Sequence, residues 1–154
     1  MTRPRPLVTG LGAALALTLV LGGCNAMRDQ VGGPPRDEDG VAITRVVRDA
    51  VAEALPDAED TTATTRLDGF ANTMMLTVTW PDEVELDVAA VQDGARAICE
   101  HVEGYDYVEY GFYLPGAEHR VDLTDLWAQA FPDNDAARDS VASISETDCA
   151  VILA

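Results

Sequence analysis

Apolar residues along this chain change rhythm several times, and each rhythm predicts a different element. Leu7–Leu21 is nearly continuous, broken only by small or hydroxyl residues such as Thr9, Gly10, Gly12 and Thr18. At about 15 residues the run is shorter than the ~20 a spanning helix needs, and it suits the apolar segment of a secretory leader. From residue 41 the spacing turns helical. Ile43, Val46, Val47, Ala50, Val51, Ala54 and Leu55 make one stripe over Val41–Leu55, with Arg45, Arg48, Asp49 and Glu53 outside it. Asp37, Glu38 and Asp39 precede that helix, where its dipole favours anions, and Pro56 stops it.

Period two follows. Thr61–Leu67 and Phe70–Trp80 read as strands, joined at Asp68-Gly69 by the signal of a type I′ hairpin. In the second strand Met74, Leu76, Val78 and Trp80 share a face opposite Thr73, Met75, Thr77 and Thr79. The Thr-rich side predicts a solvent face, with a single layer of helices on the other. After the turn at Pro81–Glu85, Asp87 is placed to cap a second helix reaching Val102, striped by Val88, Val91, Ala95, Ile98 and Val102 and closed by Gly104. Tyr105–Leu114 alternates cleanly and reads as a strand, and Arg120–Leu123 as a short return strand. Thr124 is placed to cap a helix over Asp125–Phe131, Asn134–Ser143 has the composition of a further helix, and Cys149–Leu153 reads as a terminal strand. The order α-β-β-α-β-β-α-(α)-β predicts an α+β fold: a mostly antiparallel sheet with helices packed on one face.

The beginning of the chain carries the most specific signal. Arg3 and Arg5 give a basic start, the apolar run follows, and Leu21-Gly22-Gly23-Cys24 comes directly after it. This segment resembles the lipobox signal peptide of bacterial lipoproteins: an aliphatic residue, two small ones and a cysteine. The resemblance covers residues 1–24 and implies that the Cys24 thiol carries a diacylglyceryl group, with cleavage between Gly23 and Cys24. Small residues let an extended backbone enter a narrow protease site, and a thiolate is nucleophilic enough to be alkylated. Two acyl chains make a durable anchor where one would be marginal. The implied partner of Cys24 is membrane lipid, and the implied location is the extracytoplasmic face of a cell membrane. A domain map follows: signal peptide 1–23, lipidated N-terminus and flexible tether 24–39 with Gly32-Gly33-Pro34-Pro35, and a single acidic domain 40–154.

Charge narrows the range of partners. The chain has 27 acidic and 10 basic side chains and a formal charge of −17; every basic residue is Arg. All the acids lie after Cys24 while Arg3 and Arg5 lie before it, so the segment from Cys24 onward carries −19. Such a surface is well solvated and has no clustered cations to neutralise phosphates, which argues against nucleic acid. The absence of Lys beside abundant Ala, Arg, Asp and Val fits a GC-rich genome of the actinobacterial type.

With Cys24 assigned to lipid, Cys99 and Cys149 remain as an even pair, and an exported domain favours a bridge between them. Motifs of catalysis are scarce. His101 and His119 are the only histidines, Ser140, Ser143 and Ser145 lack the setting of a nucleophile elbow, and no phosphate-binding loop or zinc-protease motif occurs. Asp133-Asn134-Asp135 with Asp139 has the look of a calcium loop, but Arg138 and Ile144 stand where the EF-hand glycine and final glutamate belong. These residues point to no catalytic group, metal or cofactor. Tyr105, Tyr107 and Tyr113 share a strand face with Glu109, and tyrosines that join an apolar ring to a hydroxyl suit a recognition surface as well as a core. The expectation is a membrane-tethered, non-catalytic binding or structural module with an envelope protein as partner. Two alternatives stand beside it: a hydrolase or enzyme accessory using carboxylates such as Glu100, Glu103, Glu109 and Glu118, and a divalent-cation-binding protein.

Overall fold

The computed structural model describes residues 34–154. The expected leader, Cys24 and the first part of the expected tether lie outside the described residues. Pro34–Val41, expected to include the end of the spacer, folds onto the domain. The Pro35 carbonyl accepts the Ile43 N–H at 2.8 Å, Arg36 and Ala42 form an antiparallel bridge, and Asp37 Oδ1 accepts the N–H of Val41 at 2.7 Å.

The chain then runs through α1 (Ile43–Ala54), β1 (Asp60–Asp68), β2 (Ala71–Thr79), α2 (Val88–His101), β3 (Tyr107–Tyr113), α3 (Thr124–Ala130), β4 (Ala137–Arg138), β5 (Val141–Ile144) and α4 (Glu146–Ile152). The class is α+β with a mostly antiparallel five-stranded sheet, in the order β1-β2-β3-β5-β4. β1 and β2 are an antiparallel hairpin from Asp60↔Thr79 to Asp68↔Ala71. β2 and β3 pair in parallel, from Thr73↔Tyr107 to Thr79↔Tyr113, with α2 as the crossover between them. β5 returns antiparallel against β3 at Val108↔Ile144, and β4 flanks it.

The two long amphipathic patterns become the helical layer. Ile43, Val47 and Val51 of α1 and Val91, Ala95 and Ile98 of α2 are buried in one cluster with Met74, Leu76, Val78, Tyr110 and Phe112 of the sheet. Asp87 caps α2 as expected, its side chain accepting the Ala90 N–H at 2.9 Å. α3 and α4 both lie against α2, and they bring Trp127, Phe131 and Ile152 into the same core. On β2 the faces separate cleanly: Met74, Leu76 and Val78 are fully buried while Met75, Thr77 and Thr79 are half-buried. Thr73 is the exception on the outer face, buried beside Tyr107.

Five local expectations change. The β1–β2 loop is Gly69-Phe70, not Asp68-Gly69, and only Gly69 has a positive φ (67°), the pattern of a type II′ turn. Arg120–Leu123 makes one bridge, Tyr113↔Arg120, and no strand. Thr124 is the first residue of α3 rather than its cap, and the oxygen that receives its N–H comes from Asp122 at 2.9 Å. Asn134–Ser143 is not a helix. It holds the β4–β5 hairpin, turned at Asp139 with φ 55°, because strand partners on β3 override a locally helix-tolerant composition. Cys149–Leu153 is not a strand. Cys149–Ile152 lies in α4, with Leu153 as its C-cap, and Ser145 and Asp148 start that helix with a reciprocal capping box.

Candidate functional site

The face of the sheet opposite the helices is built by alternation. Register places Thr62, Thr64 and Arg66 of β1, Thr73, Met75, Thr77 and Thr79 of β2, Tyr107, Glu109, Gly111 and Tyr113 of β3, and Ser143 of β5 on one side. Two polar groups organise it. Arg66 of β1 reaches across β2 to Glu109 Oε1 of β3 at 3.0 Å and also contacts Asp68 at 3.3 Å. Arg120 lies over the Tyr113 ring, 5.5 Å from its centroid, a cation–π arrangement. Gly111 makes room for this second pair, since a Cβ there would come within 3.1 Å of Arg120 Cδ and 3.0 Å of the Ser140 carbonyl. A shallow depression at the hairpin end of this face is lined by Asp68, Ala71, Thr73, Tyr107, Glu109 and Ser143.

The three tyrosines are not equivalent. Tyr107 and Tyr113 sit on this outer face at opposite ends of β3. Tyr105 lies before the strand and packs against the helical-side core, and its hydroxyl meets Thr65 Oγ1 at 2.6 Å. The strand begins only at Tyr107, after a bend at Asp106, so the alternation that the sequence suggested from residue 105 does not include Tyr105. Burial raises the Tyr105 phenol, partly offset by its bond to Thr65. Arg66 and Arg120 were not anticipated. The position of Arg66 two residues before the turn was the available signal, because that register sets it beside the outer face of β2.

Cys99 and Cys149 form a disulfide joining α2 to α4, with Cα atoms 5.1 Å apart. A cleft of about 330 Å³ lies beside it, lined in part by Glu103, Tyr105, Ser145 and Glu146.

The remaining candidates have structural uses. Asn134 Oδ1 accepts from Trp127 Nε1 at 3.0 Å and from the Ala136 N–H at 2.9 Å, while its amide donates to Asp148 at 2.9 Å. The side chain of the supposed calcium loop therefore pins α3 and α4 together. Among the described residues no three His, Cys, Asp or Glu side chains converge as metal ligands. His101 ends α2, where a cation suits the dipole, and His119 is exposed in a turn. Ser145 is a helix cap, and Ser143 lies on the outer sheet face across from Glu109. Of the four glutamates considered for acid–base work, Glu109 is engaged by Arg66, Glu103 borders the disulfide cleft, and Glu100 and Glu118 are exposed. Comparison with protein-family models, curated proteins and solved structures finds no match.

Proposed function

We propose that this chain is a lipid-anchored extracytoplasmic protein whose domain serves as a non-catalytic binding or structural module of the cell envelope, presenting the outer face of its sheet to a protein partner. The observation that carries the reading is Leu21-Gly22-Gly23-Cys24 directly after a basic start and a short apolar run. The Cys99–Cys149 bridge supports it, since such bonds persist in oxidising compartments. The sheet supports the binding role. One face is covered by helices, and the other holds Tyr107, Tyr113, Met75 and two arginines without a covering layer among the described residues. Arginine and tyrosine are the side chains that dominate recognition surfaces. Confinement to a membrane raises the effective concentration of such a module for partners held in the same plane.

Two experiments test the parts separately. Cys24→Ala should move the protein from the detergent phase to the aqueous phase in a phase-partition assay, and mass spectrometry of the unaltered protein should find a diacylglyceryl mass on Cys24. Unchanged partitioning of the variant would contradict the anchor. For the surface, crosslinking from the membrane-bound protein should recover an envelope protein, and Tyr113→Ala should weaken that capture about tenfold or more, the scale of an interface tyrosine worth over 1 kcal/mol. Equal capture by the variant would remove the outer face from consideration.

A further inference from the structure

The end of the domain from which the tether leaves also carries its most exposed apolar side chains. Pro35 packs against Gly104, where an added Cβ would come within 2.9 Å of the Pro35 Cβ. Two residues on, Asp106 exchanges bonds with Asn72: its N–H donates to the Asn72 carbonyl at 2.9 Å, and its carboxylate accepts the Asn72 N–H at 2.7 Å. Asn72 is in turn two residues from Phe70, the tip of the β1–β2 hairpin. The hairpin runs past the first residue of β3, so its tip stands roughly 7–10 Å beyond the sheet body at strand rise. Phe70 is fully exposed, Leu67 is 61% exposed and Tyr107, beside the same end, is 46% exposed.

Accepting the lipid anchor on Cys24 as proposed above, we infer that the Leu67–Phe70 tip rests in the membrane interface and orients the tethered domain on the bilayer. The reach of the tether selects this end. Ten Cα steps separate Cys24 from Pro34 and span at most about 35 Å when fully extended. A domain of this size is about 35 Å across, so the far end meets the lipid only at the limit of extension. Phe and Leu side chains bury apolar area in the acyl boundary, and a Tyr suits the level of the headgroups. Attraction of charge does not drive the contact: Asp68, Glu103 and Asp106 lie at this end, Arg66 is held by Asp68 and Glu109, and Arg36, next to Pro35, donates to the Gly40 carbonyl. The ligand is therefore the uncharged interfacial layer of a bilayer.

The test reconstitutes the full lipidated protein in phosphatidylcholine vesicles with and without brominated acyl chains. Trp80 and Trp127 are buried and give a constant background. Phe70→Trp places an indole at the tip, and Ala117→Trp places one in the exposed turn at the opposite end of β3. The tip indole should lose about half or more of its added emission to brominated lipid, the depth of an interfacial side chain being about 5–10 Å, while the opposite indole is unaffected. If both indoles respond alike, or neither does, in protein shown by mass spectrometry to carry lipid on Cys24, the tip contact is overturned while the anchor stands. A bare Cys24 with its leader retained overturns both.

Discussion

Replacing Cys99 and Cys149 together by Ser should lower the unfolding free energy by about 4 kcal/mol, the chain-entropy value for a ring of this size. The bond spans 50 residues and encloses β3, α3, β4 and β5. With it intact, the unfolded chain cannot separate α4 from α2. Without it, α4 depends on its capping box, on buried Cys149 and Ile152, and on the bond from Asn134 to Asp148. Small domains have about 5–15 kcal/mol in total, so the loss is a large share. Urea titration of the domain with and without reductant measures it directly, as a midpoint shift of about 2 M for an m-value near 2 kcal/mol/M. A change under about 1 kcal/mol would show that the unfolded chain gains little from release of the ring.

The second large effect lies where α2 crosses β3. Ala favours an exposed helix over Gly by about 1 kcal/mol, so propensity alone scores Gly94→Ala as stabilising. Here it should cost about 2–3 kcal/mol, the range for an overpacked core. The new Cβ collides with the Tyr110 hydroxyl and falls 2.8 Å from its Cζ and 3.2 Å from Leu55 Cδ1. Tyr110 has no room to retreat: it is fully buried, with its ring 5.0 Å from Phe112. Its hydroxyl also lacks a hydrogen-bond partner. Tyr110→Phe therefore removes an unpaired buried group and should be neutral or stabilising by about 1 kcal/mol. It should also rescue part of the Gly94→Ala loss, a coupling of about 1–2 kcal/mol in a double-mutant cycle. Additive behaviour would disprove the collision.

The same hydroxyl sets a pH limit. Burial, and secondarily the charge of Asp93, holds the Tyr110 phenol well above its ordinary range. The folded form keeps its proton while the unfolded chain releases one above about pH 10. Stability is thus unaffected by this group below pH 10 and declines above it, by up to about 1.4 kcal/mol per pH unit. Tyr110→Phe should remove most of that slope, with Tyr105 supplying a smaller remainder.

Those two contacts mark the boundary of what the amino-acid order reveals. Period and caps are local, so α1, β2 and α2 were legible from Ile43, Val47 and Val51, from Met74, Leu76 and Val78, and from Asp87. Partners distant in sequence were not. Ala137–Ile144 becomes a hairpin because Ala142 and Ile144 find Tyr110 and Val108, more than 30 residues earlier. The run Cys149–Leu153 is too short for period to separate strand from buried helix. Ser145 and Asp148, spaced as a capping box, were the signal that decides it. Alternation put Tyr107 and Tyr113 on one face, as observed, without saying whether that face was core or surface, and Tyr105 does not share it because it precedes the strand, which starts at Tyr107. The Cys99–Cys149 pairing was legible because only two cysteines remained once Cys24 was set aside.

The two rims of the sheet differ greatly. β4 has two residues, too few to template anything, whereas β1 offers nine residues with no proline or lysine to blunt them. A second molecule adding its own β1 there would occupy both usable rims at once. Growth by strand pairing would then stop at a twofold pair. However densely such molecules crowd on a surface, the strands among the described residues give strand pairing alone no route into a fibre.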